Sequence, residues 1–211
     1  MQLKKIIKGK VPTSVISLIQ NYFLFPIRIK KWKLQGRIVP PPSLVKQMAV
    51  KQYQRKYKCN ILVETGTFLG EMIEFQKNNF NKIFSIELDD ALYKRAKEIF
   101  HKFDHIELIH GDSAKALKGV VEKLDEPAIF WLDAHYSGGI SAKGEKVSPI
   151  LDELEIIFNK NFEHIILIDD ARLFKRENDY PEMQEVINFI KNKNNNYIIE
   201  KKDDILRVAP Y

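Results

Sequence analysis

Val63-Glu64-Thr65-Gly66-Thr67-Phe68-Leu69-Gly70 is the stretch on which the reading of this chain turns. It begins inside a short, β-rich apolar run, residues 60–64, and leads into a helix expected over about 70–79. Gly66 permits a tight turn, and Gly70 lets the following helix approach closely. The stretch therefore reads as strand, glycine turn and helix, with a carboxylate, Glu64, at the strand's end. Its spacing is not G-x-G-x-x-G, so a pyrophosphate cradle for a nicotinamide dinucleotide is disfavoured. A carboxylate at the mouth suits a cationic or amine-bearing ligand instead. An ordinary βα turn also uses glycine, so the weight of this stretch depends on its surroundings.

Outward from it the chain alternates. Pro40-Pro41-Pro42 cannot be helical and marks a boundary. Ser43 is expected to cap a helix to about Lys58, with Leu44, Val45, Met48 and Tyr53 facing inward. After the glycine turn come strands at 82–88, 106–109, 127–132 and 165–168, with helices at about 91–103, 113–124, 150–158 and 181–191. Ser148-Pro149 reads as a cap and first turn. Residues 197–200 and 205–208, separated by Lys201-Lys202-Asp203-Asp204, read as a closing hairpin. Runs such as Ile165-Ile166-Leu167-Ile168 are apolar without alternation, as strands covered on both faces should be. The expectation is a doubly wound, Rossmann-like α/β fold: seven strands, mostly parallel, the last antiparallel, with helices on both faces.

In open sheets of this kind ligands sit at the carboxyl ends of the strands. The second strand ends in Ser85-Ile86-Glu87, and Glu87 follows Gly66 at close to the spacing of about 20 residues at which an acidic side chain meets a ribose diol. The third ends in His110-Gly111-Asp112-Ser113, where Asp112 can accept from an adenine amino group, cap the next helix, or both. Asp133 follows the fourth strand and Asp169-Asp170 the fifth. Adjacent parallel strands lie about 4.8 Å apart, so these three carboxylates could converge. Crowded together they require protons or a cation to offset them. Oxygen donors of this kind suit Mg²⁺, Mn²⁺ or Ca²⁺. As plainer readings, Glu87 is a solvated strand-end charge and Asp169 or Asp170 a helix cap or a partner of Arg172. Of the histidines, His135 beside Asp133 is the candidate general base or a structural residue; His101, His105, His110 and His164 read as surface or strand-edge residues. Trp131 belongs in the sheet core, and Trp32 is a packing or interfacial group.

The glycine turn, the acidic end of the second strand, Gly-Asp-Ser after the third and the terminal hairpin together resemble the class I S-adenosylmethionine-dependent methyltransferases, over residues 60–211. The resemblance implies that Glu64, Gly66, Thr67 and Gly70 shape the methionine pocket, that Glu87 binds the ribose, and that Asp112 and Ser113 flank the adenine, with Asp133 at the edge of the donor site. The later aspartates are similar to those of the divalent-metal-dependent O-methyltransferases that act on catechols and macrolide sugars. That implies a metal, Mg²⁺ foremost, on Asp133, Asp169 and Asp170, lowering the pKa of the attacking hydroxyl. In several such enzymes the base lies three residues beyond the first ligand; here that residue is Tyr136, with His135 one earlier. Gly138-Gly139 and the polar residues to 147 read as a flap over the acceptor or as a surface loop. A metal-dependent hydroxylase on the same fold is the rival reading.

The bulk properties frame these expectations. A chain of 211 residues with 45% hydrophobic residues and 13 Phe can bury a substantial core, and its single cysteine, Cys59, excludes an intrachain disulfide. Charge is divided sharply. Residues 1–60 hold 11 Lys and 3 Arg but no acidic residue, whereas the remainder carries a net −8. Residues 1–42 are therefore expected to form a basic arm ahead of a methyltransferase domain at 43–211. Such an arm can meet an anionic acceptor or glycan, lie on a membrane surface through residues 1–40, or dock on the domain's own acidic face. A binding module using only that arm is the non-enzymatic alternative. Residues 11–27 are too interrupted by Pro12, Gln20, Asn21 and Pro26 to span a bilayer, and residues 11–39 could instead mediate a homodimer. Nucleic acid is not favoured as a partner. The expected location is cytoplasmic, peripheral to the inner face of the membrane if the arm binds lipid.

Overall fold

The computed structural model describes residues 25–133, 148–177 and 179–211. Helix α1 (Phe25–Leu34) and helix α2 (Ser43–Tyr57) precede the sheet. Then follow β1 (Ile61–Thr65), α3 (Glu71–Gln76), β2 (Lys82–Glu87), α4 (Asp90–Phe100), β3 (Ile106–His110), α5 (Ser113–Lys123) and β4 (Ala128–Leu132). The second half contains α6 (Ile150–Phe158), β5 (Ile165–Ile168), a 3-10 turn (Ala171–Leu173), α7 (Met183–Lys193), β6 (Tyr197–Lys202) and β7 (Ile205–Pro210).

The strands form one seven-stranded sheet in the order β3-β2-β1-β4-β5-β7-β6. β1 to β5 pair in parallel, and β7 enters antiparallel between β5 and β6. β1, β4 and β5 are buried along their whole length, which accounts for their unbroken apolar sequences. Alternate residues feed two cores. Val63, Phe130 and Ile166 face Leu117, Leu154 and Ile190 of α5, α6 and α7. Leu62, Trp131 and Leu167 face Val50, Ile73 and Phe100 of α2, α3 and α4. At about 25 cal/mol per Å² of apolar surface, this double burial is the main force holding the sheet.

Four local expectations are corrected. Ser43 is the first residue of α2 rather than its cap; Pro42 precedes the helix and no side chain caps it. Ser148 likewise makes no cap: α6 begins at Ile150 after Pro149. Met48 is exposed because the inward stripe of α2 runs through Leu44, Val45, Gln47, Ala49 and Val50. The hairpin turns on Asp203-Asp204 alone, both at positive φ, so Lys201 and Lys202 belong to β6. Trp32 is buried, its indole N–H donating to the Ile38 carbonyl at 2.7 Å.

Candidate active site

The glycine turn after β1 adopts the expected conformations. Gly66 has φ 86° and its N–H donates to the Ile86 carbonyl at 2.9 Å, folding the turn over the end of β2. Gly70 has φ 75°, and a Cβ there would lie 2.8 Å from Cε2 of Phe100. Glycine thus allows both the left-handed turn and the seating of α3 against α4. Between them Thr67 is buried, its hydroxyl 2.6 Å from that of Ser85.

Glu64 lies opposite Ser85 in the β1–β2 register, and the Ser85 hydroxyl donates to its Oε2 at 2.6 Å. Burial pushes the Glu64 carboxyl up to about 8; the Ser85 hydrogen bond opposes the rise and the Glu87 carboxylate adds to it. Glu87 is anchored through both oxygens. Its Oε2 accepts from the Phe68 N–H at 2.7 Å and its Oε1 from the Asp89 N–H at 2.9 Å. Phe68 itself stands at φ 47°, so the carboxylate holds the turn in a conformation that a phenylalanine seldom adopts. Each carboxylate oxygen keeps a second lone pair, which leaves acceptors for a diol. Asp112 caps α5 by accepting from the Ala114 N–H at 2.9 Å, and Ser113 is buried as the first residue of that helix. At the same edge Tyr93 and His110 stack with centroids 5.0 Å apart.

The three later aspartates converge. Leu132 and Ile168 are register partners, so the residues that follow them, Asp133 and Asp169, emerge side by side; the Asp169 N–H donates to the Leu132 carbonyl at 3.0 Å. Asp170 turns back at φ 49°, its N–H donating to Asp169 Oδ1 at 2.7 Å. Carboxylate oxygens of all three lie within 4.8 Å of one another. Burial first, and then the neighbouring Asp169 carboxylate, holds Asp133 well above the ordinary carboxylate range; burial also raises Asp169.

Two cations answer this charge. Lys46, from α2, ion-pairs with Asp169 and reaches Asp170 Oδ1 at 3.2 Å. Arg172 donates to Asp170 Oδ1 at 2.7 Å and ion-pairs with the buried Asp204 at the hairpin turn. Tyr180 joins the same neighbourhood: burial, then the Asp170 and Asp133 carboxylates, push its phenol up to about 12. It also lines a cleft of about 420 Å³ with Leu151, Asp152 and Arg176. Lys46 and Tyr180 are not among the sequence candidates. Lys46 is one of 11 lysines in its segment, and its partners lie more than 120 residues away; Tyr180 sits in a loop with no motif. Asp170 does take the Arg172 partnership that the sequence allows.

The donor chemistry of the trio is that of a hard divalent cation. The Lys46 ammonium, however, stands against two of the three carboxylates, Asp169 and Asp170, and an ion on the trio would compete with it for their oxygens. His135, Tyr136 and the Gly138-Gly139 segment lie outside the described residues. Of the two readings of His164, the structure keeps the strand edge, immediately before β5, and not the surface: it is buried, edge-on to Phe130, and its Nδ1 accepts from the Ala128 N–H at 3.1 Å. Burial lowers its pKa to about 4.

No family model matches this sequence, and no curated protein matches it. Solved structures do. The chain is similar to an O-methyltransferase of Bacillus cereus in complex with SAH, at TM-score 0.59 and 11% identity, over 93% of this chain and 97% of that one. It is similar to the SAH-bound methyltransferase PaMTH1 of Podospora anserina, at TM-score 0.58 and 14% identity, over 97% and 100%. TomG of Streptomyces achromogenes, an O-methyltransferase of tomaymycin synthesis bound to SAM, matches at 0.59 and 13%, over 99% and 93%. The fold is therefore that of the class I S-adenosylmethionine-dependent methyltransferases.

Proposed function

We propose that this protein is an S-adenosylmethionine-dependent O-methyltransferase acting on a hydroxyl of a small molecule such as a sugar, a glycoside or another natural product. The observation that carries the proposal is the donor end of the sheet. Glu64 is buried beside the glycine turn, and Glu87 is fixed through both oxygens by backbone N–H groups where a ribose would lie. A cationic sulfonium ligand favours a site in which a carboxyl can ionise on binding.

In the reaction the acceptor oxygen attacks the methyl carbon in line. The carbon–sulfur bond breaks with its electron pair going to sulfur, and the hydroxyl proton passes to a base. The chain's chief contribution is alignment of donor and acceptor. His135 and its neighbour Asp133, at the end of β4, are the candidates to take the proton. We assign the acceptor to the side of the trio where Tyr180 stands, next to the cleft that residue lines. The basic first 60 residues favour an anionic acceptor, such as a nucleotide sugar or lipid-linked glycan. Metal assistance on Asp133, Asp169 and Asp170 is the second reading, favoured by the convergence of their oxygens, and it requires Lys46 to leave the trio.

Calorimetry with S-adenosylhomocysteine is the test of donor binding, and absence of binding at high micromolar ligand overturns the proposal. Product mass distinguishes methylene gain from the oxygen gain of a hydroxylase. Activity that survives EDTA removes the metal and leaves the methyl transfer.

A further inference from the structure

We propose that Lys46 is the resident cation of the Asp133–Asp169–Asp170 trio, standing where a divalent metal would otherwise stand, so that the site is charge-compensated from within the chain. Its ammonium contacts two of the three carboxylates, and all three act on it electrostatically. The helix that carries it is held on both sides of the sequence position. Leu44, Val45, Ala49 and Val50 are buried, and the neighbouring Gln47 donates to the Glu71 carbonyl at 3.0 Å while its own carbonyl accepts from Gln76 at 2.7 Å. Lys46 is therefore no drifting surface lysine: its side chain is 18% exposed and its carboxylate partner on Asp169 is 0% exposed.

Ammonium and metal are alternatives for reasons of space and charge. A Mg²⁺ ion needs oxygen ligands at about 2.0–2.1 Å in near-octahedral array. The Asp169 and Asp170 oxygens that hold the ammonium are not free to close on such an ion at the same time. Two cations held by one small set of carboxylates would also repel each other strongly. Lysine differs from the ion in delivering one charge from a fixed helix with no dehydration of a free ion, and it cannot present a vacant coordination position to an acceptor. Methyl transfer here then proceeds without a Lewis acid, with Lys46 acting as a positioning residue that keeps the trio gathered. The inference uses the methyltransferase reading only for that last consequence; the identity of the cation is decided by binding alone.

The test is Mn²⁺ binding to the EDTA-treated full chain, followed by loss of the free Mn²⁺ resonance signal. Wild type, Lys46→Arg, Lys46→Met and the double variant Lys46→Met/Asp169→Asn are compared, with S-adenosylhomocysteine binding measured in parallel. The expected result is weak Mn²⁺ binding by wild type and Lys46→Arg, a gain of at least about tenfold in Lys46→Met, and loss of that gain in the double variant. Tight stoichiometric Mn²⁺ binding by wild type overturns the proposal, as does a Lys46→Met protein that folds and gains nothing. If Lys46→Met folds only when Mn²⁺ is present, the proposal is supported; if it folds under neither condition, the wild-type titration and a wild-type melting temperature unmoved by Mn²⁺ decide it. Failure of S-adenosylhomocysteine to bind would sink the methyltransferase reading while leaving the cation result standing.

Discussion

Glu64 offers a test in which the magnitude follows from the structure. Its carboxyl is pushed up to about 8 by burial, from an ordinary 4.5. In the unfolded chain it ionises near the lower value. Between the two values the native state therefore holds a proton that the unfolded state has lost, and stability falls as pH rises. The whole gap corresponds to about 5 kcal/mol, of which about 2–3 kcal/mol falls between about pH 6 and about pH 8.5. Glu64→Gln keeps the shape and cannot ionise. Equilibrium urea unfolding, followed by fluorescence of the buried Trp131, should show wild type losing about 2–3 kcal/mol more than the variant across that window. Other titrating groups are common to both proteins and cancel in the difference. The same chemistry predicts that S-adenosylhomocysteine, through its amino group, releases a proton on binding near pH 7, seen as a buffer-dependent calorimetric heat that the Glu64→Gln substitution abolishes. Equal pH losses in the two proteins would refute the idea that Glu64 is buried in its neutral form.

Other perturbations probe the remaining parts. Glu87→Gln places an amide donor against one of two backbone N–H groups and removes the charge, so affinity for S-adenosylhomocysteine should fall at least about tenfold by calorimetry. Gly70→Ala must fit a Cβ 2.8 Å from Phe100 at φ 75°, which should cost about 1–3 kcal/mol in chemical denaturation. Adding Phe100→Leu should restore only part of that, because the backbone strain remains. His164, lowered to about 4 by burial, contributes stability that is lost as pH falls below its ordinary value of 6.5. Wild type should lose about 2 kcal/mol more than His164→Asn between about pH 7 and about pH 5.

The features legible in the sequence are those with a local cause. Apolar runs without alternation mark β1, β4 and β5 because both faces of those strands are covered, and the acidic residues at their ends follow directly. The proximity of Asp133 and Asp169 is readable only through the assumption that β4 and β5 are neighbours, which the sheet order bears out. Errors arise where a tertiary partner overrides local preference. His164 reads as a surface or strand-edge residue; it does stand at the edge of β5, but the Ala128 N–H and the Phe130 ring draw it inside. Met48 reads as inward by apolarity, but Gln47 takes the buried position through its bonds to Glu71 and Gln76. Lys46 carries no signal at all, since a helix rich in lysine does not say which one finds an aspartate.

Lys46 also alters the meaning of the charge division along the chain. A segment with 14 basic residues and no acidic ones, followed by a domain of net −8, invites an outward reading toward lipid or glycan. Among the described residues, two of its cations look inward: Arg37 pairs with Asp203 at 3.2 Å, and Lys46 pairs with Asp169 and Asp170. The two contacts differ in weight. Arg37 is half exposed, so its pair is screened by water and salt and contributes little. The pair at Asp169 is sheltered, and removing its lysine leaves buried carboxylates without their counter-charge, which is strongly destabilising. One lysine of the basic segment, Lys46, is thus part of the acidic site. Its helix α2 delivers the cation, and the three aspartates at the ends of β4 and β5 can be crowded together because that cation arrives from the other side of the sequence.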